Sequence, residues 1–488
     1  MILEKCSELS LSHFEDSEIY NQITRLESEI NYKPYQTFQA LITLISACIA
    51  FISSAIILFI WNPWVSFVIC ILPFISVYYY LKIGKKDFEM HYERSNKERE
   101  AWYVSYLLTH DFAYKEIHMF NLKNTFLKRF WGIKQKFIYQ ENNINKKKMI
   151  LSSVFELFQE ICVGFVIFFA VKSAFYGGLL IGHVATYIRA ISLIQSNTDQ
   201  IVNSIYSIYN SNLYMDLLTS FNEIPVDEKK EGIEITKITS IEFKNVSFKY
   251  AEDNNVLNNV SFKVNKGERV AIIGKNGSGK STLLKLICGL YTVNEGQILV
   301  NGINLNDINK NIFNQNISVL FQDFLKYEMT LKENVVLNQT ATSNDAEIYD
   351  ALRLADVNFL QNEDQTKFNL DVQLGNWFDD GVQLSGGQWQ KIALARAYYR
   401  QASLYLLDEP SSALDASAEI NIFRTFYNMS NEKIGIFITH KVNAAKKADK
   451  IIVLDKGEIV SIGSDFTLSK QCPVYSELKS KENYVYEG

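Results

Sequence analysis

The sequence predicts two parts in series: an α-helical transmembrane region with four spans, then an α/β domain built on a phosphate-binding loop. Two patterns carry that expectation. Residues 38–60 run FQALITLISACIAFISSAIILFI without a charge, and residues 269–290 combine a short apolar strand, a Gly-rich loop and an apolar helix. The length of 488 residues asks for more than one domain. With 48% hydrophobic residues and only 6 Pro and 22 Gly, the chain is neither disordered nor collagen-like. A net charge of -5 gives no chain-wide basic footprint, so no nucleic-acid partner is expected. The cysteines Cys6, Cys48, Cys70, Cys162, Cys288 and Cys472 form no CxxC pair, which argues for reduced thiols rather than zinc or disulfides.

The apolar run at 38–60 is long enough to cross a hydrocarbon layer of ~30 Å at ~1.5 Å per residue. After the turn Trp61-Asn62-Pro63-Trp64, a second run reaches residue 80, flanked by tryptophans suited to a membrane interface. Further spans are expected at 150–171 and 179–200, the last interrupted by His183, Arg189 and Asp199. The segment from Lys82 to Lys148 is rich in Lys and Arg and ends in three consecutive lysines, which marks the cytoplasmic side. Apolar repeats there, such as Tyr103, Tyr106 and Leu107, predict long cytoplasmic helices. No signal peptide is visible in residues 1–36, so the anchor is internal. Glu160 and Arg189 stand at similar depth from the short outer loop, and two arrangements are open: a pair across the helices, or separate contact with water. A linker at 222–240, containing the charged run 227–231, is expected to divide a membrane domain at 1–221 from a nucleotide-binding domain at 241–480.

In the second part, the strand Arg269 to Ile273 leads into Gly274, Lys275, Asn276, Gly277, Ser278, Gly279, Lys280, Ser281 and Thr282, then a helix at Leu283 to Leu290. This is GxxxxGK[ST] in its strand–loop–helix context. Its backbone N–H groups and the helix N-terminus suit phosphate; Lys280 offers a point charge and Ser281 a hydroxyl for Mg²⁺. A second apolar strand, Leu404 to Leu407, ends in Asp408 and Glu409. Two carboxylates at a strand end can divide labour, Asp408 holding Mg²⁺ and Glu409 orienting the attacking water.

Between these strands lies Leu384-Ser385-Gly386-Gly387-Gln388, with an expected helix at Trp389 to Tyr399, and His440 follows the strand Ile434 to Ile438. In order and spacing these motifs resemble the ATP-binding-cassette ATPases over about residues 240–480. The resemblance implies ATP and Mg²⁺. It implies that Tyr250 stacks on adenine, that Gln322 senses Mg²⁺, that His440 contacts the γ-phosphate, and that the loop at Asp415 addresses the opposite subunit. Tyr250 as a plain strand residue, Gln322 as a loop polar group and His440 as a capped surface histidine are the competing readings. It further implies a head-to-tail dimer in which Ser385, Gly386, Gly387 and Gln388 of one subunit cover the nucleotide of the other. With these motifs intact, a homodimer with two competent sites is expected, and a heterodimer stays open.

A membrane region ahead of a cassette resembles the exporter arrangement in the bacterial cytoplasmic membrane, with the ATPase domain in the cytoplasm. The stretches Gly375 to Gly381, Gln322 to Thr330 and Trp389 to Ala397 look like the lantibiotic exporters of the nisin, subtilin and epidermin type. The resemblance therefore implies ATP-driven export of a peptide, with the lipid bilayer and lantibiotic modification enzymes as further partners. Such exporters have six spans. Four are counted here, and Leu9 to Tyr20 resembles the segment that follows the second span, so the first two are expected to be missing. Alternatives are a transport-incompetent remnant that binds ATP and an exporter of drugs or lipids. A soluble chromosome-type ATPase is disfavoured by the uncharged spans.

Overall fold

The computed structural model describes residues 2–29, 32–176, 180–226, 232–250, 255–337, 344–361, 367–411, 414 and 416–487. The chain divides into two compact units, Met1–Val226 and Asp227–Gly488. Asp227 to Glu231, Ser412, Ala413 and Asp415 lie outside the described residues.

The first unit is helical. Short helices α1 (Ile2–Glu8), α2 (Leu11–Glu15) and α3 (Ser17–Glu29) precede α4 (Lys33–Trp61), α5 (Pro63–Thr109), α6 (Asp111–Met119), α7 (Lys123–Phe175) and α8 (Ile181–Asn222). The α4–α5 turn is set locally. Pro63 opens α5, where a missing N–H costs nothing, and the Asn62 side chain accepts hydrogen bonds from the Trp64 and Val65 amides. Trp61 stacks on Tyr187 of α8 at 4.7 Å, above a small core of Leu58, Ile69, Val163, Ala190, Ile191 and Ile194. The outward faces of α4 and α7 are as apolar as the inward ones, with Ile45, Ile49, Phe165 and Phe168 exposed. Such faces are stable in hydrocarbon and costly in water. By length and apolarity alone, α4 and α7 qualify as membrane-crossing among the described residues.

Glu160 and Arg189 do not pair. The Glu160 carboxylate accepts from Gln195 Nε2 at 3.1 Å, while Arg189 is exposed and has no ion pair among the described residues. The reason is geometric. Gln195 of α8 is the residue that reaches Glu160 of α7, and Arg189 lies six residues, about 9 Å, nearer the start of α8. At the opposite end, the Arg94 guanidinium of α5 is buried against α7. It donates to Gln140 Oε1, Glu141 Oε1 and the Phe137 carbonyl at 2.7–2.8 Å and lies over the Phe137 ring.

The second unit holds two sheets. Strands β1 (Ser240–Phe248), β2 (Leu257–Asn265), β4 (Glu295–Val300) and β5 (Ile303–Asn304) form an antiparallel sheet ordered β2-β1-β4-β5. Strands β3 (Arg269–Ile273), β6 (Ile317–Leu320), β7 (Leu404–Asp408), β8 (Ile434–Ile438), β9 (Lys450–Asp455) and β10 (Glu458–Gly463) form a sheet ordered β10-β9-β3-β8-β7-β6. All its neighbours are parallel except β10 and β9. Both faces of this sheet are covered, and its strands alternate between two cores. Ala271, Leu407, Phe437 and Val453 enter one; Ile272, Leu406, Ile436 and Ile452 enter the other. Burial on both sides explains why these strands read as continuous apolar runs.

Helix α9 (Lys280–Ile287) starts three residues before the expected Leu283 and stops at Cys288, where Gly289 takes a φ of +67°. After α10 (Lys310–Gln315), α11 (Leu331–Val336) and α12 (Asp345–Leu354), helix α13 (Gly386–Tyr399) starts three residues before the expected Trp389. Ser385 and Gln388 form a reciprocal capping box there: the Ser385 hydroxyl accepts from the Gln388 amide, and Gln388 Oε1 accepts from the Ser385 amide. A glycine pair at the helix start hid this from propensity.

The starts of β3 and β9 are joined by Arg269 and Asp449, whose two oxygens accept from Nε and Nη2 at 2.7 and 2.8 Å. The Arg269 guanidinium holds the Asp449 carboxyl below its ordinary range. A depressed pKa contributes stability that is present above the unfolded value of ~3.9 and is lost as pH falls through the folded value. Asp449→Asn should therefore lower stability at pH 7, and with it the thermal midpoint, the loss being at most about 1 kcal/mol for so exposed a pair. Thermal unfolding read by tryptophan fluorescence should show the gap from the parent protein closing below about pH 4.

Candidate nucleotide site

The phosphate loop leaves the carboxyl end of β3 at the centre of the six-stranded sheet. Its course is dictated by glycine. A Cβ on Gly274 would lie 2.1 Å from the Leu454 carbonyl oxygen, and Gly279 combines a φ of +101° with a neighbour at 2.7 Å, Leu257 Cδ2. No side chain fits either position without displacing the loop. Lys280 opens α9 and is buried; its ammonium donates to the Gly274 and Lys275 carbonyls, both at 3.0 Å. Burial lowers its pKa, and the nearby Glu409 and Asp408 carboxylates oppose that shift. The Ser278 hydroxyl is buried with no hydrogen-bond partner among the described residues. Lys275 and Asn276 are exposed, and Lys275 reaches Glu477 at 2.9 Å.

Strand β7 brings Asp408 and Glu409 to the same edge. Asp408 is 4% exposed, its Oδ1 has no hydrogen-bond partner among the described residues, and burial raises its pKa to about 6 against a hydrogen bond from Ser281 that lowers it. A desolvated, half-satisfied carboxylate beside a hydroxyl is the donor set a hard cation requires. Asp408 and Ser281 therefore fit Mg²⁺, and the orphaned Ser278 hydroxyl fits a phosphate oxygen. Glu409 takes a φ of +46°, a strained conformation for a residue with a side chain, fixed by its amide donating to the Ile438 carbonyl at 3.0 Å. Its carboxylate is held from two sides: Gln322 Nε2 donates to Oε2 at 3.1 Å, and His440 Nδ1 lies 3.5 Å from Oε1.

Tyr250 sits beside the loop. Its hydroxyl is 3.1 Å from Thr282 Oγ1, and its ring meets Phe248 and Tyr291 edge-on at 4.9 and 5.3 Å. Lys280, Ser281, Asp408, Glu409, Gln322 and His440 thus come from four strand ends to one locus. The signature residues do not. Ser385 and Gly386 are exposed, a Cβ on Gly386 would meet nothing within 4 Å, and among the described residues Ser385 and Gln388 hydrogen-bond each other rather than the phosphate loop.

Sequence reasoning missed the tethers behind this edge. Gln390 of α13 is buried and donates to the Pro410 carbonyl at 2.8 Å, linking the signature helix to the turn after Glu409. Asn334 of α11 (Leu331–Val336), fully buried, donates to the Tyr327, Met329 and Thr330 carbonyls, and Arg396 of α13 donates to the Asn334 carbonyl at 2.9 Å. The Glu328 carboxylate accepts from the amides of Asn376 and Trp377. Polar residues embedded in an apolar helix pattern were the available signal.

This site, on this sheet, is that of an ATP-binding-cassette protein. The ABC transporter family model matches residues 257–412. The subtilin transport ATP-binding protein SpaT of Bacillus subtilis is 48% identical over 489 aligned residues, 99% of this chain and 79% of its own length. The nisin transport ATP-binding protein NisT of Lactococcus lactis is 40% identical over 99% of this chain and 81% of its length. The chain belongs to the ABC transporter family and, within it, groups with these two lantibiotic transport proteins. A bacterial Atm1-family ABC exporter solved with ATP bound shares the fold, with a TM-score of 0.81 and 22% identity over 99% of this chain and 83% of that one.

The glycine geometry is testable. Gly279→Ala should weaken ATP binding at least tenfold, measured by fluorescent-nucleotide titration of the purified protein, while leaving far-ultraviolet circular dichroism unchanged.

Proposed function

We propose that the chain exports a peptide, of the lantibiotic-precursor class, across the bacterial cytoplasmic membrane at the expense of ATP. The observation that carries this reading is the 48% identity to a subtilin transport protein along nearly the whole chain, joined to an intact hydrolytic edge at Lys280, Asp408 and Glu409. The proposed organisation has four spans near 38–60, 64–80, 150–171 and 179–200, a linker at 222–240 and a cytoplasmic ATPase domain at 241–480. The apolar outer faces of α4 and α7 and the division of the chain near residue 226 support it.

In this reading the N–H groups of residues 274–282 and the Lys280 ammonium bind the phosphates, and Tyr250 offers a ring to the adenine. Ser281, Asp408 and Gln322 would hold Mg²⁺, which would supply positive charge against that developing on the phosphates. Glu409 orients the attacking water and takes its proton. Gln322 and His440 hold that carboxylate in place, and the strained backbone of Glu409 keeps it pointed outward from the sheet edge. The exposed Ser385 and Gly386, with the half-buried Gly387 and Gln388, then serve a nucleotide held by a second copy of the chain, so that one copy alone cannot close a site. Binding energy gained on closure shifts the membrane region between its two accessible states, and a cargo that favours one state alters ATP turnover by linkage.

Reconstituted vesicles test the reading. Glu409→Gln should bind ATP within threefold of the parent protein and lose at least a hundredfold in turnover, and Lys280→Ala should lose nucleotide binding. A lantibiotic precursor peptide should accumulate in inverted vesicles only with hydrolysable ATP. Normal turnover in Glu409→Gln, or no ATP-dependent uptake by the parent protein, would refute the respective assignments.

A further inference from the structure

Away from the nucleotide site, a groove of about 480 Å³ opens in the helical unit where α3, α5 and α7 approach one another. Helix α3 contributes Tyr20, α7 contributes Arg129, and α5 contributes a run from Asn96 to Tyr103. The one lining carboxylate, Glu100, is engaged on both oxygens, by Lys97 Nζ at 2.6 Å and Arg129 Nε at 2.7 Å. Arg99 then has no carboxylate partner among the described residues. It donates to Asn96 Oδ1 at 2.7 Å, and its guanidinium lies 5.6 Å from the Tyr20 ring centroid. Three cations, Lys97, Arg99 and Arg129, against one anion leave an excess of two positive charges.

The same walls are aromatic. Trp102 is 57% exposed and held by stacking on Tyr106 at 5.1 Å; Tyr103 beside it is 54% exposed. An aromatic face next to a guanidinium that has no carboxylate partner among the described residues is the surface that takes a carboxylate and an apolar side chain together. The frame under it is fixed by the Arg94 clamp between α5 and α7, one and a half turns away.

We propose that this groove binds an anionic, aromatic-containing segment of the peptide cargo on the cytoplasmic side, an inference that rests on the peptide-export reading. Position favours a peptide over a lipid headgroup. Along the unbroken helix α5, Asn96 to Tyr103 lies 16–23 residues past Tyr80, where the second apolar run ends. That is about 24–35 Å, whereas the headgroup layer extends only about 5–8 Å beyond the hydrocarbon. Charge complementarity selects the acidic class, and the exposed Trp102 and Tyr103 select against a purely polar ligand.

The test uses the full chain in nanodiscs of zwitterionic lipid. The probe is a fluorescein-labelled octapeptide carrying three Glu around one Phe and one Leu; the control replaces each Glu by Lys. Fluorescence anisotropy should show the acidic peptide binding at least tenfold more tightly than the control. Arg99→Glu and Trp102→Ala should each weaken it at least tenfold, and raising salt from 50 to 500 mM at least fivefold. Basal ATPase activity should stay within twofold in both variants, since neither residue belongs to the nucleotide site. Equal binding of the two peptides, or binding indifferent to both substitutions, overturns the proposal. So does a loss confined to binding of phosphatidylserine vesicles, which would make the groove a membrane contact. If peptide uptake into vesicles persists while groove binding fails, the groove proposal falls and export stands. If groove binding holds without ATP-driven uptake, export falls instead.

Discussion

The nucleotide-binding unit depends on the burial of charge at the carboxyl edge of a parallel sheet. Lys280 and Asp408 are both taken from water there, and their mutual attraction offsets only part of what that costs. The ammonium leans on two backbone carbonyls of its own loop, and among the described residues the carboxylate keeps one oxygen without a partner. An edge so under-satisfied is poised for a ligand that brings both negative phosphates and a cation. The sheet tolerates it because two large apolar cores clamp β3, β7 and β8 from either side.

That constraint organises what surrounds the edge. Glu409 accepts a strained backbone because β8 holds its amide, and its carboxylate is steadied by one group from the end of β6 and one from the end of β8. Behind it, Gln390, Asn334 and Arg396 bind the signature helix to the loops that carry Gln322 and Pro410. A displacement of Gln322 is therefore resisted by buried hydrogen bonds rather than absorbed by a soft loop, and buried polar networks of this kind transmit strain. The helical unit obeys a different constraint. Its outer faces are apolar, so hydrocarbon is the solvent that makes α4 and α7 stable.

Much of this was legible from residue order. The phosphate loop, the Asp408–Glu409 strand end and the strand before His440 were found because a strand buried on both faces shows as an unbroken apolar run. Helix starts were placed three residues late at α9 and α13, since glycine lowers propensity just where a cap or a left-handed residue begins the helix. Of the two arrangements open for Glu160 and Arg189, the pair does not form, because Gln195 is the residue at the height of Glu160 and helix register across α7 and α8 is not visible in either segment alone.

Local pattern alone determined which segments are apolar on one face, both faces or all round, and which short motifs can wrap a phosphate, because these depend on neighbours in sequence. Only the tertiary structure decided that Gln322, Glu409 and His440 share one carboxylate's surroundings and that Ser278 and Asp408 retain unpaired oxygens. It also decided that Tyr20, Arg99 and Arg129 line one groove. Those residues stand between 30 and more than 100 positions apart in the chain, and contacts at such separation follow from how helices and strands pack, which no local periodicity encodes.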